Sequence, residues 1–247
     1  MPLAPRRTLR IPSRYSVQFD GVDDYVKAPR LTPTRVTAEA WVKVSDVAGH
    51  PYGQIIVSSG DISRDFTLFL SGGNFAFLVR TSTHIYIRVG VTPTPGVWYH
   101  AAGTYDGNAI KIYVDGELKG DTSQTGDIGP YYSNEFIGVG AEGQSGGGDW
   151  GFFNGLIAKV LIYNRALSAD EIVWNYNNFY NPVRDGLVLC LIADPQYIKD
   201  IDGDGILEWI DLSGYNNTGK IYGATLVDLY KSPVRTLSAA RVMLVAR

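Results

Sequence analysis

The chain has 247 residues, with 22 Lys and Arg against 25 Asp and Glu, a formal net charge of −3, and many glycines and tyrosines. This length can bury the core of one large domain or two small ones, and the charge argues against a nucleic-acid-binding face. The basic N-terminus has no apolar signal-peptide core and no run is long enough to span a bilayer, so we expect no membrane insertion.

Short alternating runs of apolar and polar residues, separated by glycine-rich turns, predict a β-rich domain. The clearest stretch is 98–120, where two Asp-Gly turns flank the alternating run 109–114. Asp-Gly between such runs is the strongest short-range hairpin signal, so we expect three consecutive antiparallel strands there. Further strands are predicted at residues 15–19, 25–27, 36–44, 55–58, 66–70, 75–80, 85–89, 136–139 and 156–163.

One short helix is predicted at residues 168–178. Ser168 is a favourable N-cap, and Glu171 three residues later completes a capping box. The helix must end before Pro182, because the residue before a proline avoids helical geometry.

Five motifs in chain order resemble a laminin G-like domain of the concanavalin A-like lectin/glucanase superfamily. They are YSVQFDGVDDYVKAP, TAEAWVKV, GVWYHAAGTYDG, IKIYVDGELKG and FNGLIAKVLIYNRALSADEI. For residues 14–180, the resemblance implies a concanavalin A-like jelly-roll sandwich of two antiparallel sheets. It also implies a glycan or protein ligand, and many such domains hold calcium.

Residues 181–247 resemble the opening of a second laminin G-like unit, through VRDGLVLCLIA and WIDLSGYNNTGKIYGATLV. We expect these extra C-terminal strands to pack on the first domain or to pair with a neighbouring subunit. Residues 1–13, rich in proline and arginine, predict an extended arm. Residues 5–9 and 233–237 both read P-x-R-T-L, which favours self-assembly, or contact with neighbouring structural proteins, through terminal arms. Such layouts resemble proteins of phages and archaeal viruses, and large adhesins.

The sharpest local motif is the acidic stretch DIDGDGILEWID at 200–211. Acidic side chains at its positions one, three and five and a glycine at six match an EF-hand-type loop, and Ca²⁺ takes six to eight oxygen ligands. The alternative is a solvated acidic turn. The predicted ligands are Asp200, Asp202, Asp204, the Ile206 carbonyl, Glu208 through water, and Asp211.

A resemblance to pentraxins, which belong to the same superfamily, implies a second calcium site. Many relatives also carry an acidic residue in the strand after F-N-G-L-I, where this chain has Ala158 and Lys159. That departure argues against a structural calcium ion near this strand. The residues in the pentraxin-like positions are Asp61, Asp65, Glu142 and Gln144.

The glycine-rich loop 141–154 predicts a sugar-binding surface, because sugars stack on aromatic rings while carboxylates accept from their hydroxyls. The alternative is that these aromatics cover the sandwich or an interface. The predicted ligand-binding residues are Asp149, Trp150, Phe152 and Phe153, extended by Tyr131 and Tyr132.

Catalysis is not expected. The E-x-D-x-x-E arrangement of superfamily glycanases, which brings two carboxyls together for hydrolysis, does not occur. His50, His84 and His100 are dispersed, and His100 is interpreted as a sandwich residue. The single cysteine, Cys190, lies in an apolar run and is interpreted as a buried small hydrophobe.

We therefore expect a non-catalytic module that acts at a virion or extracellular surface. The main hypothesis is a structural protein of a virion or surface layer, whose jelly roll recognises glycans or a receptor. The alternative is a secreted or cell-surface calcium-dependent carbohydrate-binding adhesion module. A glycan-active enzyme is the remaining alternative.

Overall fold

The computed structural model describes residues 12–47, 53–60, 65–81, 84–89, 91–129, 135–143 and 151–231. Within these ranges the chain forms two antiparallel sheets and a single helix, which confirms the predicted all-β fold. The elements are β1 Tyr15–Asp20, β2 Tyr25–Ala28, β3 Val36–Val44, β4 Gln54–Ser59, β5 Phe66–Ser71, β6 Asn74–Arg80, β7 His84–Arg88, β8 Trp98–Tyr105, β9 Ala109–Val114, β10 Glu117–Ser123, β11 Ile137–Val139, β12 Asn154–Tyr163, α1 Ala169–Asn177, β13 Leu187–Ile192, β14 Ile198–Lys199, β15 Glu208–Trp209, β16 Gly219–Tyr222 and β17 Thr225–Asp228.

One sheet has eight strands and the other has nine. The eight-stranded sheet runs β10-β9-β8-β3-β12-β1-β17, and β13 joins it by pairing with β12. The nine-stranded sheet runs β14-β15-β16-β2-β11-β4-β5-β6-β7. The predicted hairpin β9–β10 is present, and its turn residues Asp115 and Gly116 have φ of 54° and 81°, as a tight hairpin turn requires.

The segment after residue 181 adds strands to both sheets. In the eight-stranded sheet β13 pairs with β12 and β17 pairs with β1. In the nine-stranded sheet β16 pairs with β2. Residues 181–231 therefore pack on the first domain as part of the same sandwich, the first of the two arrangements expected above.

The main core lies between the sheets and is built by alternate residues of their strands. Period-two alternation places these side chains on the inner faces, where burial of each large one stabilises the fold by about 2 kcal/mol. Fully buried members include Phe19, Val42, Phe77, Ile112, Phe153 and Trp209.

A second apolar layer covers the outer face of the eight-stranded sheet. It is formed by α1, by the chain that follows α1, and by outward residues of β3, β12 and β13, and it includes Trp41, Tyr163, Ile172, Phe179 and Cys190. Cys190 is a free, fully buried thiol, and burial raises its pKa to about 11. This agrees with the interpretation of Cys190 as a small core residue.

The helix begins with the predicted capping box. The Ser168 hydroxyl accepts from the Glu171 N–H, and the Glu171 carboxylate accepts from the Ser168 N–H at 2.8 Å. Arg165 also pairs with Glu171 at 2.6 Å. The hydrogen bond from Arg165 is the main reason that the pKa of Glu171 falls to about 2.

No helix in the described part of the chain combines the length and hydrophobicity needed to cross a membrane. Both P-x-R-T-L repeats of the predicted terminal arms lie outside the described residues.

Candidate functional site

The acidic loop after β14 brings four predicted calcium ligands together. Carboxylate oxygens of Asp200, Asp202, Asp204 and Glu208 all lie within 4.8 Å of one another. The loop folds around Asp200, whose two oxygens accept from the N–H groups of residues 203 and 205 at 2.7 and 3.0 Å. Glu208, nearly fully buried, accepts from the N–H of residue 201 at 2.8 Å, which holds its carboxylate beside the others.

The ammonium of Lys220 sits among these carboxylates. Its Nζ lies 3.0 Å from Asp202, 2.5 Å from Asp204 and 3.7 Å from Glu208. The hydrogen bonds to Asp204 and Asp202 raise the pKa of Lys220, and the Lys220 ammonium lowers the pKa of Asp204. The oxygens therefore converge on the position of one cation, and a lysine of this chain provides a positive charge there.

One of the predicted ligands is placed differently. Asp211 organises the turn that follows: its carboxylate accepts from the N–H groups of Cys190, Ser213 and Asn217 and from the Ser213 hydroxyl. It is not among the converging carboxylates, so its assignment as a calcium ligand is corrected. Ile206 donates its N–H to Asp204 at 2.8 Å, and the role of its carbonyl as a calcium ligand stays a prediction.

The second predicted metal set is described only in part, because Asp61 and Gln144 lie outside the described residues. Asp65 is fully buried beside β5 and accepts from the Ser59 hydroxyl at 3.1 Å. Burial, and then the nearby charge of Glu135, raise the pKa of Asp65 to about 7. Glu142 is also buried, and it does not belong to a converging carboxylate group with Asp65 among the described residues.

Ala158 and Lys159, where relatives carry an acidic residue, are both buried. The Lys159 ammonium donates to the Phe179 carbonyl at 2.9 Å and lies 4.7 Å from the centre of the Phe179 ring. A lysine therefore anchors the chain after α1 at this position.

The predicted aromatic sugar-binding surface requires one correction. Phe153 is a core residue with no exposed surface, and its ring packs edge-on against Phe19 at 6.2 Å. It is therefore inaccessible to a ligand, whereas Phe152 is half-buried. The other predicted members, Asp149, Trp150, Tyr131 and Tyr132, lie outside the described residues.

An open pocket that sequence reasoning missed lies where β16, β2 and the chain before β11 meet. Its volume is about 470 Å³. It combines cationic, aromatic and hydroxyl groups, which suits a polar ligand with an apolar face. The side chains that define this β2–β16 pocket are Lys27, Arg30, Glu135, Phe136, Thr218, Lys220 and Tyr222.

The pairing of β2 with β16 determines which side chains lie next to each other at this pocket. Lys27 is directly opposite Lys220, and Tyr25 is directly opposite Tyr222. The Tyr25 and Tyr222 rings are stacked, with centres 4.8 Å apart and planes inclined by 17°. A strand was predicted at residues 25–27, but nothing local could identify β16 as its neighbour.

A buried polar network on the outer face of the eight-stranded sheet contains His100. His100 is 3.0 Å from the Glu39 carboxylate, and the Asn175 amide donates to both Glu39 oxygens at 3.0 and 3.2 Å. Asn175 also bonds Tyr163 and accepts from the N–H of Val183. These groups are buried under α1, which fits the interpretation of His100 as a sandwich residue.

Comparison with known proteins agrees with this architecture. A family model described as Concanavalin A-like lectin/glucanases superfamily matches residues 20–173. No curated protein matches the chain.

Three solved structures share the fold at low identity. A provisionally assigned carbohydrate-binding protein from Bacteroides ovatus has 19% identity and a TM-score of 0.69 over 88% of this chain and 60% of that protein. The heptameric SAP-like pentraxin of Limulus polyphemus has 16% identity and a TM-score of 0.51, covering 68% of this chain and 83% of the pentraxin. The Ruminococcus gnavus sialidase module CBM40, bound to α2,3 sialyllactose, has 15% identity and a TM-score of 0.51, covering 64% and 95%. This chain therefore has a lectin-like jelly-roll fold, and it spans 60% of the length of the Bacteroides ovatus protein.

Proposed function

This chain belongs to the laminin G-like family of the concanavalin A-like lectin/glucanases superfamily, and from that premise we propose that it is a non-catalytic carbohydrate-binding module acting at a surface. The observation that carries the proposal is the β2–β16 pocket on the rigid nine-stranded sheet. Stacked Tyr25 and Tyr222 offer aromatic surface beside it, and Thr218, Arg30 and two lysines offer hydrogen bonds. Similar folds support this reading, since one solved neighbour is a sialidase module in complex with a sialylated sugar.

The test is a glycan array probed with the full chain, followed by calorimetry on the strongest hits. We expect Tyr222→Ala to weaken binding about tenfold, because a stacked ring contributes about 1 kcal/mol or more beyond its buried area. Tyr230→Ala is the matched control, since Tyr230 is 67% exposed and follows β17 in the other sheet. An array without hits, or equal losses in the two variants, would remove the proposal.

We also propose that the acidic loop 200–208 binds Ca²⁺. The fit is partial. Four carboxylates converge there, and hard oxygen donors are what Ca²⁺ prefers, but the Lys220 ammonium must first leave Asp202 and Asp204. Asp200, Asp202, Asp204 and Glu208 would hold the ion, which would stiffen the loop next to the pocket.

Calcium titration of chelator-treated protein by calorimetry tests this site. Asp200→Asn should abolish the binding heat, because it removes one charged ligand. Asp194→Asn, in the preceding turn, should retain it. Equal calcium binding by both variants would place any bound ion elsewhere.

The structural role in a virion or surface layer remains a second proposal. It is supported by exposed apolar side chains at the C-terminal end of α1: Val173, Trp174 and Tyr180 are 42%, 49% and 57% exposed. Such groups favour protein contacts. Light scattering on the full chain, on residues 12–231 and on Trp174→Ser tests this role. We expect self-association to weaken in both variants. A monomeric full chain would contradict the proposal.

A further inference from the structure

The β2–β16 pocket contains two lysines, one from each strand. Lys27 and Lys220 lie directly opposite each other on adjacent antiparallel strands. Their chain neighbours Val26 and Ile221 are in the core, so alternation turns both lysines to the outer face. Like charges directly opposite each other destabilise a sheet, and here the carboxylates around Lys220 offset that repulsion.

Carboxylates among the described residues neutralise one of the two lysines. Lys220 contacts Asp202 and Asp204. Lys27 forms no ion pair with the described residues, and its Nζ lies 4.7 Å from the centre of the Phe136 ring. A ring face supplies a weak attraction without a counter-charge. Lys27 therefore brings an uncompensated positive charge to the pocket.

In the remaining charged pair, the arginine side chain is the more exposed of the two. The Arg30 guanidinium lies 3.4 Å from Glu135, whose side chain is fully buried, while the Arg30 side chain is 19% exposed. The exposed surface of this pair therefore belongs to Arg30, although the Arg30 Nε is itself buried. An arginine fork is well suited to the planar oxygens of a carboxylate or sulfate.

From this geometry we infer that the β2–β16 pocket selects an acidic carbohydrate, carrying a carboxylate or a sulfate, and that Lys27 is the residue that recognises its charge. The inference rests on the proposed function, carbohydrate binding, and adds the ligand class and the recognising side chain. Arg30 and Thr218 supply donors beside the charge, and Tyr222 faces the apolar side of the sugar. Because the pocket is open to solvent, this charge contact weakens as salt increases.

Three probes with one lactose core test the inference: sialyllactose, sulfated lactose and lactose. Binding of each to the full chain is measured by calorimetry in chelator at low and high salt. We expect at least one acidic probe to bind about tenfold tighter than lactose, as a charge-assisted hydrogen bond predicts, and the preference to shrink at high salt.

Variants assign the preference to Lys27. Lys27→Gln should remove it, and Lys27→Arg should retain it. Lys43→Gln is the matched control, since Lys43 is also a strand lysine over an aromatic ring, 5.7 Å from the centre of Trp98, but in the eight-stranded sheet. Thermal melting checks that each variant folds.

The outcomes separate the two proposals. Tight binding of the sialylated or of the sulfated probe identifies which anion the pocket takes. If lactose or other neutral array glycans bind as well as the acidic probes, carbohydrate binding stands and the selection of acidic sugars is overturned. Equal losses in Lys27→Gln and Lys43→Gln overturn the role of Lys27. If no glycan binds at all, the proposed function itself fails.

Discussion

The outer faces of the two sheets accommodate polar side chains in opposite ways: one face is covered and the other is open. On the eight-stranded sheet, α1 and the chain after it cover a polar network in which Asn175 bonds both Glu39 and Tyr163 under an apolar layer. On the nine-stranded sheet, Lys27 and Lys220 face each other beside an open pocket. Polar groups that pair with one another under a cover stabilise a fold, whereas Lys27, which pairs with no carboxylate among the described residues, is better explained by a ligand. The comparison supports a structural role for the polar groups of the covered face and the proposed binding role for those of the other.

The largest expected effect is a gain of stability on substituting Asp65, which lies near Glu135 of the β2–β16 pocket. Its folded pKa of about 7, against an ordinary value of 3.8, means that ionisation in the unfolded chain destabilises the fold as pH rises from about 4 to 7. Asp65→Asn should therefore be nearly neutral at pH 4 and stabilise by up to about 4 kcal/mol at pH 8.

Urea denaturation in chelator across this pH range measures the difference. Asp127→Asn, an exposed control, should change the free energy of unfolding by less than about 0.5 kcal/mol at every pH. A pH-independent effect of Asp65→Asn would contradict the buried, protonated carboxyl.

The covered face should be sensitive to Asn175→Leu. This change keeps the branched heavy-atom shape but removes the amide group that donates to Glu39 and leaves the Val183 N–H without its acceptor. We expect a loss of about 3 kcal/mol in urea denaturation. Asn177→Leu, on the exposed side of the same helix, should be close to neutral. Equal losses in the two variants would mean that the change in helix propensity, and not the loss of the buried network, destabilises the fold.

The smallest stability effect is expected from Lys220→Gln on the open face. Without calcium the variant should melt slightly lower, because the acidic loop loses its cation. With calcium the order should reverse, because the ion no longer competes with an ammonium. Differential scanning fluorimetry in chelator and in calcium measures the two melting temperatures. A variant whose melting temperature does not change with calcium would contradict metal binding at this loop.

Local sequence patterns were sufficient for most elements of the fold. Period-two runs predicted the strands, Asp115-Gly116 predicted a hairpin turn, and Ser168 with Glu171 predicted the start of the helix. Each signal is contained within a few residues, so no tertiary information was needed.

The site was less predictable, because it depends on register between distant segments. No local pattern indicates that Lys220 will lie opposite Lys27. Phe153 was assigned to the ligand surface, although it is an even number of residues from Ile157, a core position of β12. That spacing places both side chains on the same face of a strand and could have identified Phe153 as a core residue. Asp211 satisfied the calcium spacing, yet its oxygens meet backbone donors that only the folded turn supplies.

The pairing of β1 with β17 determines how the domain would respond to mechanical force. Tyr15 is opposite Asp228, Leu229 donates to the Arg14 carbonyl, and Arg14 pairs with Asp228 at 2.7 Å. The chain thus enters and leaves at the same end of an antiparallel ladder. Tension applied through these two segments would peel β17 from β1 one hydrogen bond at a time, starting at the Arg14–Asp228 ion pair, rather than shearing all of them together.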